Sequence, residues 1–83
     1  DLGRDPVSAI LGLAEVELRR GNRDQALIYA QLAITRDQRA PEPHVFLARA
    51  HKGTALAAQH LFEAQRRGYR LSEEERREIL EGR

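Results

Sequence analysis

Proline and glycine divide this chain into short stretches, and that spacing limits its fold more than any other feature. Pro6, Gly21, Pro41, Pro43, Gly53 and Gly68 fall where the apolar pattern breaks. Between them the apolar residues recur at steps of three and four, the period of a helix with one buried face. Val7, Ile10, Leu11, Ala14 and Leu18 form the first stripe, and Ala26, Leu27, Ala30, Ala33 and Ile34 the second. Val45, Leu47, Ala48 and His51 form a third, and Leu56, Ala57, Leu61 and Ala64 a fourth. β-Branched residues are few and never alternate over four to eight positions, so a sheet has little support.

Local signals set the helix ends. Asp5-Pro6 opens the first helix: Asp5 accepts a hydrogen bond from an early backbone N–H, and Pro6 lacks only an N–H that would be unpaired there. Arg19 and Arg20 lie in the last turn, where the helix dipole favours cations, and Gly21 stops it. A second helix starts near Asp24 and lapses around Asp37 to Ala40. The short connection makes an antiparallel pair. Pro41-Glu42-Pro43 opens a third helix that ends at Gly53 or Thr54, and a fourth runs from about Ala55 to Arg67 and stops at Gly68. Ser72-Glu73-Glu74-Glu75 has the form of a capping box, in which Ser72 accepts from the Glu75 N–H and the Glu75 side chain reaches back. The fifth helix has only Ile79 and Leu80 as apolar material, with Tyr69 and Leu71 just before it. It therefore covers a neighbour with one side and faces water with the other.

At 83 residues the chain forms one domain with a thin core. Trp is absent and Phe and Tyr supply four rings, so that core must be Ala and Leu. Without cysteine there is no disulfide framework and no thiolate chemistry, and the compartment stays open between cytoplasm and periplasm. No apolar run approaches 18 residues, so a soluble chain without a membrane span is expected. The absence of Met, even at position 1, reads as a segment of a longer protein.

Chemistry finds little support. His44, His51 and His60 raise a metal site, and His44 and His51, seven apart, share a helix face. Against it, no His pair is four apart, no HExxH motif exists and no Cys completes a set. Glu15 with Glu17, or Glu73 to Glu75, lack a nucleophile or a glycine-rich anion loop nearby. No metal, no cofactor and no catalysis are expected. The pairs Arg19-Arg20, Arg66-Arg67 and Arg76-Arg77 offer an alternative function, a helical nucleic-acid-binding domain. A net charge of +1 argues against it, and acids near each pair favour solvated helix-surface charge.

An internal repeat makes the architecture more specific. Ile10, Leu13, Ala14 and Glu17 are matched 34 residues later by His44, Leu47, Ala48 and His51. Both sets follow the spacing W-x2-L-G-x2-Y, and Ala26, Ala30 and Ala33, then Ala57, Leu61 and Ala64, follow A-x3-F-x2-A. Small residues at Ala14, Ala26 and Ala33 let the helices of a hairpin approach closely, while Ile10 and Leu13 fill the gap to the next hairpin. In these residues the chain resembles the tetratricopeptide repeat family. The resemblance implies an all-α domain of five helices over residues 1–83, with antiparallel hairpins stacked as a short right-handed solenoid. Residues 7–40 would be one repeat, 41–68 a shortened second and 72–81 a closing helix, as at the C-terminal end of an array.

The chain also departs from the family pattern. Glu17 and His51 stand where an aromatic is usual, Ala30 replaces a large aromatic and Gln38 the terminal proline. Ala57, Leu61 and Ala64 lie 31 residues after their counterparts, so the turn at Lys52-Gly53-Thr54 is tighter or the third helix a turn shorter.

The resemblance further implies a scaffold or adaptor that binds another protein or peptide in a concave groove. Ser8, Leu11, Glu15, Leu18 and Arg19 would line it from the first helix, and Glu42, Val45, Arg49 and Lys52 from the third. Leu11, Leu18 and Val45 would grip an apolar side chain while Arg49 and Lys52 take a carboxylate or carbonyl. Glu15 and Val45 stand where the family's clamp for a C-terminal carboxylate places Asn and Lys, which argues against that mode. Packing against a neighbouring repeat explains some of the same residues equally well. Homo-oligomers through the first hairpin are the other expectation, carried by an exposed stripe of Val7, Ile10 and Leu11.

Overall fold

The structure, a computed structural model, describes residues 6–82. It holds α1 (Pro6–Arg19), α2 (Arg23–Arg36), α3 (Glu42–Ala50), α4 (Ala55–Arg66) and α5 (Glu73–Glu81). There is no strand among the described residues. Asp5, the expected cap of α1, lies outside them.

The helix ends follow local chemistry. After α1, Gly21 adopts φ 87°, and the N–H of Asn22 reaches back to the Glu17 carbonyl at 2.8 Å. A left-handed residue followed by this longer backbone bond satisfies carbonyls that a helix end leaves unpaired. Gly68 repeats the device after α4, with φ 97° and a 3.1 Å bond from the Tyr69 N–H to the Ala64 carbonyl. Pro43 sits in the first turn of α3, where a missing N–H costs nothing. Ser72 caps α5 by accepting the Glu75 N–H at 3.1 Å. The second half of the expected capping box is replaced: the Glu75 carboxylate takes the Tyr69 hydroxyl and the Arg49 guanidinium instead.

Helices α1 and α2 form one antiparallel pair and α3 and α4 another; α2 packs on α3, α1 touches α3, and α5 lies on α4. The Cα atoms span 37 × 29 × 18 Å. With helices about 10 Å across, the shortest dimension allows only two layers, so every helix keeps one face outward. Ala14, Ala26, Ala30 and Ala33 in the first pair, and Ala48, Ala57 and Ala64 in the second, are fully buried. Leu61 and Ile79 join Ala48 and Ala57 in the main apolar cluster, with Leu71 and Leu80 packed against it.

The deficit of three residues in the second pair falls on α3. It ends three residues before the position that matches Arg19, and the turn that follows receives the end of α5. Gly53 donates its N–H to the Ile79 carbonyl at 2.8 Å. Its Cα lies so near Gly82 that a Cβ added there would meet the Gly82 Cα at 3.3 Å, and both glycines have positive φ. A β-carbon at Gly53 therefore meets two penalties, left-handed strain and backbone contact. At Gly21, where φ is +87° and nothing lies within 4 Å, it meets only the first. Gly21→Ala is expected to lower the unfolding free energy by about 1 kcal/mol. Gly53→Ala is expected to cost about 1–2 kcal/mol more, and equal urea midpoints for the two variants would refute the close docking of α5.

Candidate functional site

A concavity lined mainly by apolar surface lies between α1 and α3, with a volume of about 510 Å³. Ser8, Leu11, Gly12, Glu15 and Leu18 line it from α1, Glu42, Val45, Phe46 and Arg49 from α3, and Tyr69 closes one end. Seven of the nine residues that the family resemblance implies therefore line one groove. Arg19 and Lys52 do not line it. Arg19 bonds Glu15 at 3.0 Å on the exposed side of α1, and Lys52 falls beyond the shortened end of α3.

The floor and rim differ in character. Val45 is buried, and Leu11, Leu18 and Phe46 are half-buried, while Ser8, Glu15 and Glu42 stand exposed at the edges. Gly12 leaves room at the centre: a Cβ built there meets nothing within 4 Å. Gly12, Phe46 and Tyr69 are the members that the repeat pattern passes over. A glycine in mid-helix, disfavoured there by about 0.5–1 kcal/mol relative to alanine, was the available signal for the first.

Arg49 and Tyr69 are held by the same carboxylate. Glu75, in the first turn of α5, accepts the Tyr69 hydroxyl at 2.7 Å and pairs with the Arg49 guanidinium. The Tyr69 hydrogen bond to Glu75, with burial and the negative charge adding to it, raises the pKa of the hydroxyl above the usual tyrosine value. The closing helix thereby fixes one end of the groove, and the guanidinium expected to meet a partner's carboxylate is already engaged by one from its own chain.

The expected self-association stripe is corrected. Val7 is only 2% exposed, and Ile10 and Leu11 are half-buried. Val7 is thus closed to a partner, and Leu11 opens only into the α1/α3 groove. Leu13, expected to fill a gap between hairpins, is instead 52% exposed. Val16, Ile28 and Leu32 of the first pair are exposed as well.

The three histidines come together, as a stack rather than a converging set. The ring centroids of His44 and His60 are 6.1 Å apart and those of His51 and His60 are 5.9 Å apart, the latter pair nearly parallel. Among the described residues no three His, Cys, Asp or Glu side chains are placed to hold a metal ion. The Arg23 guanidinium lies 2.9 Å from the His51 Nδ1. Arg67 bonds the Glu63 carboxylate at 2.5 Å and the Gln38 carbonyl at 2.8 Å, tying α4 to the connection between the pairs. Both ring nitrogens of His44 are buried without a hydrogen-bond partner.

No family model matches this chain, and neither a curated protein nor a solved structure matches it.

Burial, with Arg67 adding to it, lowers the His44 pKa, and Glu63 opposes the shift. His60 is lowered by burial and then by His44 and His51, again against Glu63. Because the folded chain resists these protons and the unfolded chain accepts them near pH 6.5, stability is complete above that value and declines as pH falls through the depressed folded values. Urea midpoints are expected to drop between pH 8 and pH 5, with a shallower drop in His44→Leu. A drop of equal size in both would remove His44 from the acid limb.

Proposed function

We propose that this chain is a protein-interaction module of the tetratricopeptide kind: two stacked helical hairpins closed by α5, binding a partner polypeptide in the α1/α3 groove and doing no chemistry itself. The observation that carries this reading is the groove, whose apolar floor of Leu11, Leu18, Val45 and Phe46 lies beneath acidic rim residues Glu15 and Glu42. Its volume of about 510 Å³ suits one or two bulky side chains. Apolar anchors seated in such a pocket supply most of the affinity, and rim charge selects the partner. The two acids favour a segment whose apolar anchors are flanked by Lys or Arg. The internal repeat and the two packed hairpins support the family reading.

Nucleic-acid binding draws less support. Arg19 is paired with Glu15, and Arg66 and Arg67 both meet Glu63. Two of the three arginine pairs are therefore each partly compensated by one carboxylate, while phosphate binding needs a basic surface.

Selection of displayed random peptides on the native chain tests the groove. The enriched peptides are expected to carry bulky apolar residues beside basic ones and to shift the amide resonances of Leu11, Leu18 and Val45. Gly12→Leu fills the centre of the groove and is expected to weaken these peptides roughly tenfold, about 1.4 kcal/mol. The same change replaces a poor helix residue by a good one, which favours the fold by roughly 0.5–1 kcal/mol, so the lost binding cannot be ascribed to unfolding. Unchanged affinity in Gly12→Leu would overturn the assignment.

A further inference from the structure

Leu13 and Leu47 occupy matching places 34 residues apart, yet Leu13 is 52% exposed and Leu47 is 2% exposed. Ala9 and Pro43 show the same contrast, exposed against buried. The second hairpin explains what covers such a face. Its α3 turns Ala48, His44 and His51 toward α4, where they meet Ala57, Leu61 and His60. Successive helix residues point about 100° apart, so Pro43 and Leu47 project away from that side and toward α2, the other helix packed on α3.

Among the described residues nothing covers the matching face of the first hairpin, which is also more apolar. Ile28 and Leu32 of α2 are exposed, whereas the residues 31 positions later, Gln59 and Glu63, are polar. With Leu13 and Val16 they give four large exposed apolar side chains on one hairpin. Leu13 and Leu32 stand beside the alanine seam, and Val16 and Ile28, about 160° round the helix from Ala14 and Ala26, lie at its two flanks. Apolar surface left open in this way marks an interaction site.

We propose that this outer face of α1 and α2 docks a helical hairpin of another polypeptide, stacked on it as α1 and α2 are stacked on α3 and α4. The docking helix carries apolar residues at the spacing of Leu27, Ala30 and Ile34, the stripe of α2 that lies away from Ile28 and Leu32. A second copy of this chain offers no matching stripe. Its α2 is spent on α3, and its α4 carries Ala58, Leu61 and Gln65 at the corresponding places with α5 packed on Leu61, while the exposed Leu56 and Phe62 of α4 do not repeat that spacing. The proposal rests on the reading of the chain as an interaction module, but it uses residues outside the groove, so the two can fail separately.

A synthetic peptide of residues 6–39, which contains the helix that covers Leu47, serves as the probe. Titrated into the isotopically labelled native chain, it is expected to shift the resonances of Leu13, Val16, Ile28 and Leu32. Leu13→Glu in the chain, or Leu27→Glu with Ile34→Glu in the peptide, is expected to weaken it roughly tenfold, while Gly12→Leu leaves it unchanged. A tandem chain with residues 6–39 joined directly ahead of Pro6 repeats the 34-residue spacing without asking the peptide to fold alone, and it decides the matter should the peptide not bind. It is expected to unfold in one transition at a higher temperature, with the rise lost on Leu13→Glu in the original hairpin. An unchanged midpoint, or two separate transitions, would overturn the proposal. So would sedimentation of the native chain as a dimer that Leu13→Glu dissociates, because a second copy would then occupy the face.

Discussion

The alanine seams are the constraint on which the rest of this structure depends. Ala14, Ala26, Ala30 and Ala33 in one hairpin, and Ala48, Ala57 and Ala64 in the other, are without solvent exposure. Alanine brings helix axes close and loses no side-chain entropy on burial, but it removes little apolar area from water compared with the roughly 1.5–3 kcal/mol of a buried leucine. The seams therefore set geometry more than they supply energy. Larger apolar side chains are displaced to the surfaces between and around the hairpins: into the main cluster around Leu61 and Ile79, onto the floor of the groove, and onto open surface at Leu13 and Ile28.

That displacement gives α5 its importance. A pair of helices with an alanine seam has too little to bury by itself, and Ile79, 2% exposed, adds one of the largest fully buried side chains in the chain. The helix is attached at both ends. Glu75 at its start meets Arg49 and Tyr69, and at its end the Ile79 carbonyl receives the Gly53 N–H beside the Gly53–Gly82 contact. The glycines serve here because the backbone segments approach where a β-carbon would not fit. Closure and groove are thus one construction: the carboxylate that anchors α5 also fixes the side chains at one end of the candidate site.

The second hairpin carries a polar row alongside its alanine seam. His44, His51 and His60 stack along α3 and α4, and His44 buries two nitrogens without partners. An unpaired buried polar group costs of order 1–3 kcal/mol, and charging it costs more. The hairpin that carries this burden is the one supported on both sides, by α2 and by α5. Among the described residues the first hairpin has no such burden, and Leu13 and Leu32 stand exposed on it.

Helix positions were legible in the sequence because their causes are local. Gly21 and Gly68 end helices through backbone bonds within a few residues, and Ser72 caps α5 through the N–H three residues on. Periodicity likewise fixes which side chains share a helix face, and the family resemblance named most of those that line the groove. Tertiary structure decided what neighbours do to those faces. It buried Val7 and exposed Leu13, and it drew Glu75 away from its local cap to Arg49 and Tyr69. It also brought Phe46 and Tyr69 to the groove. A stripe of apolar residues states that a face is to be covered. Which face is covered depends on the direction in which the hairpins stack, and that is set by contacts between residues far apart in the chain.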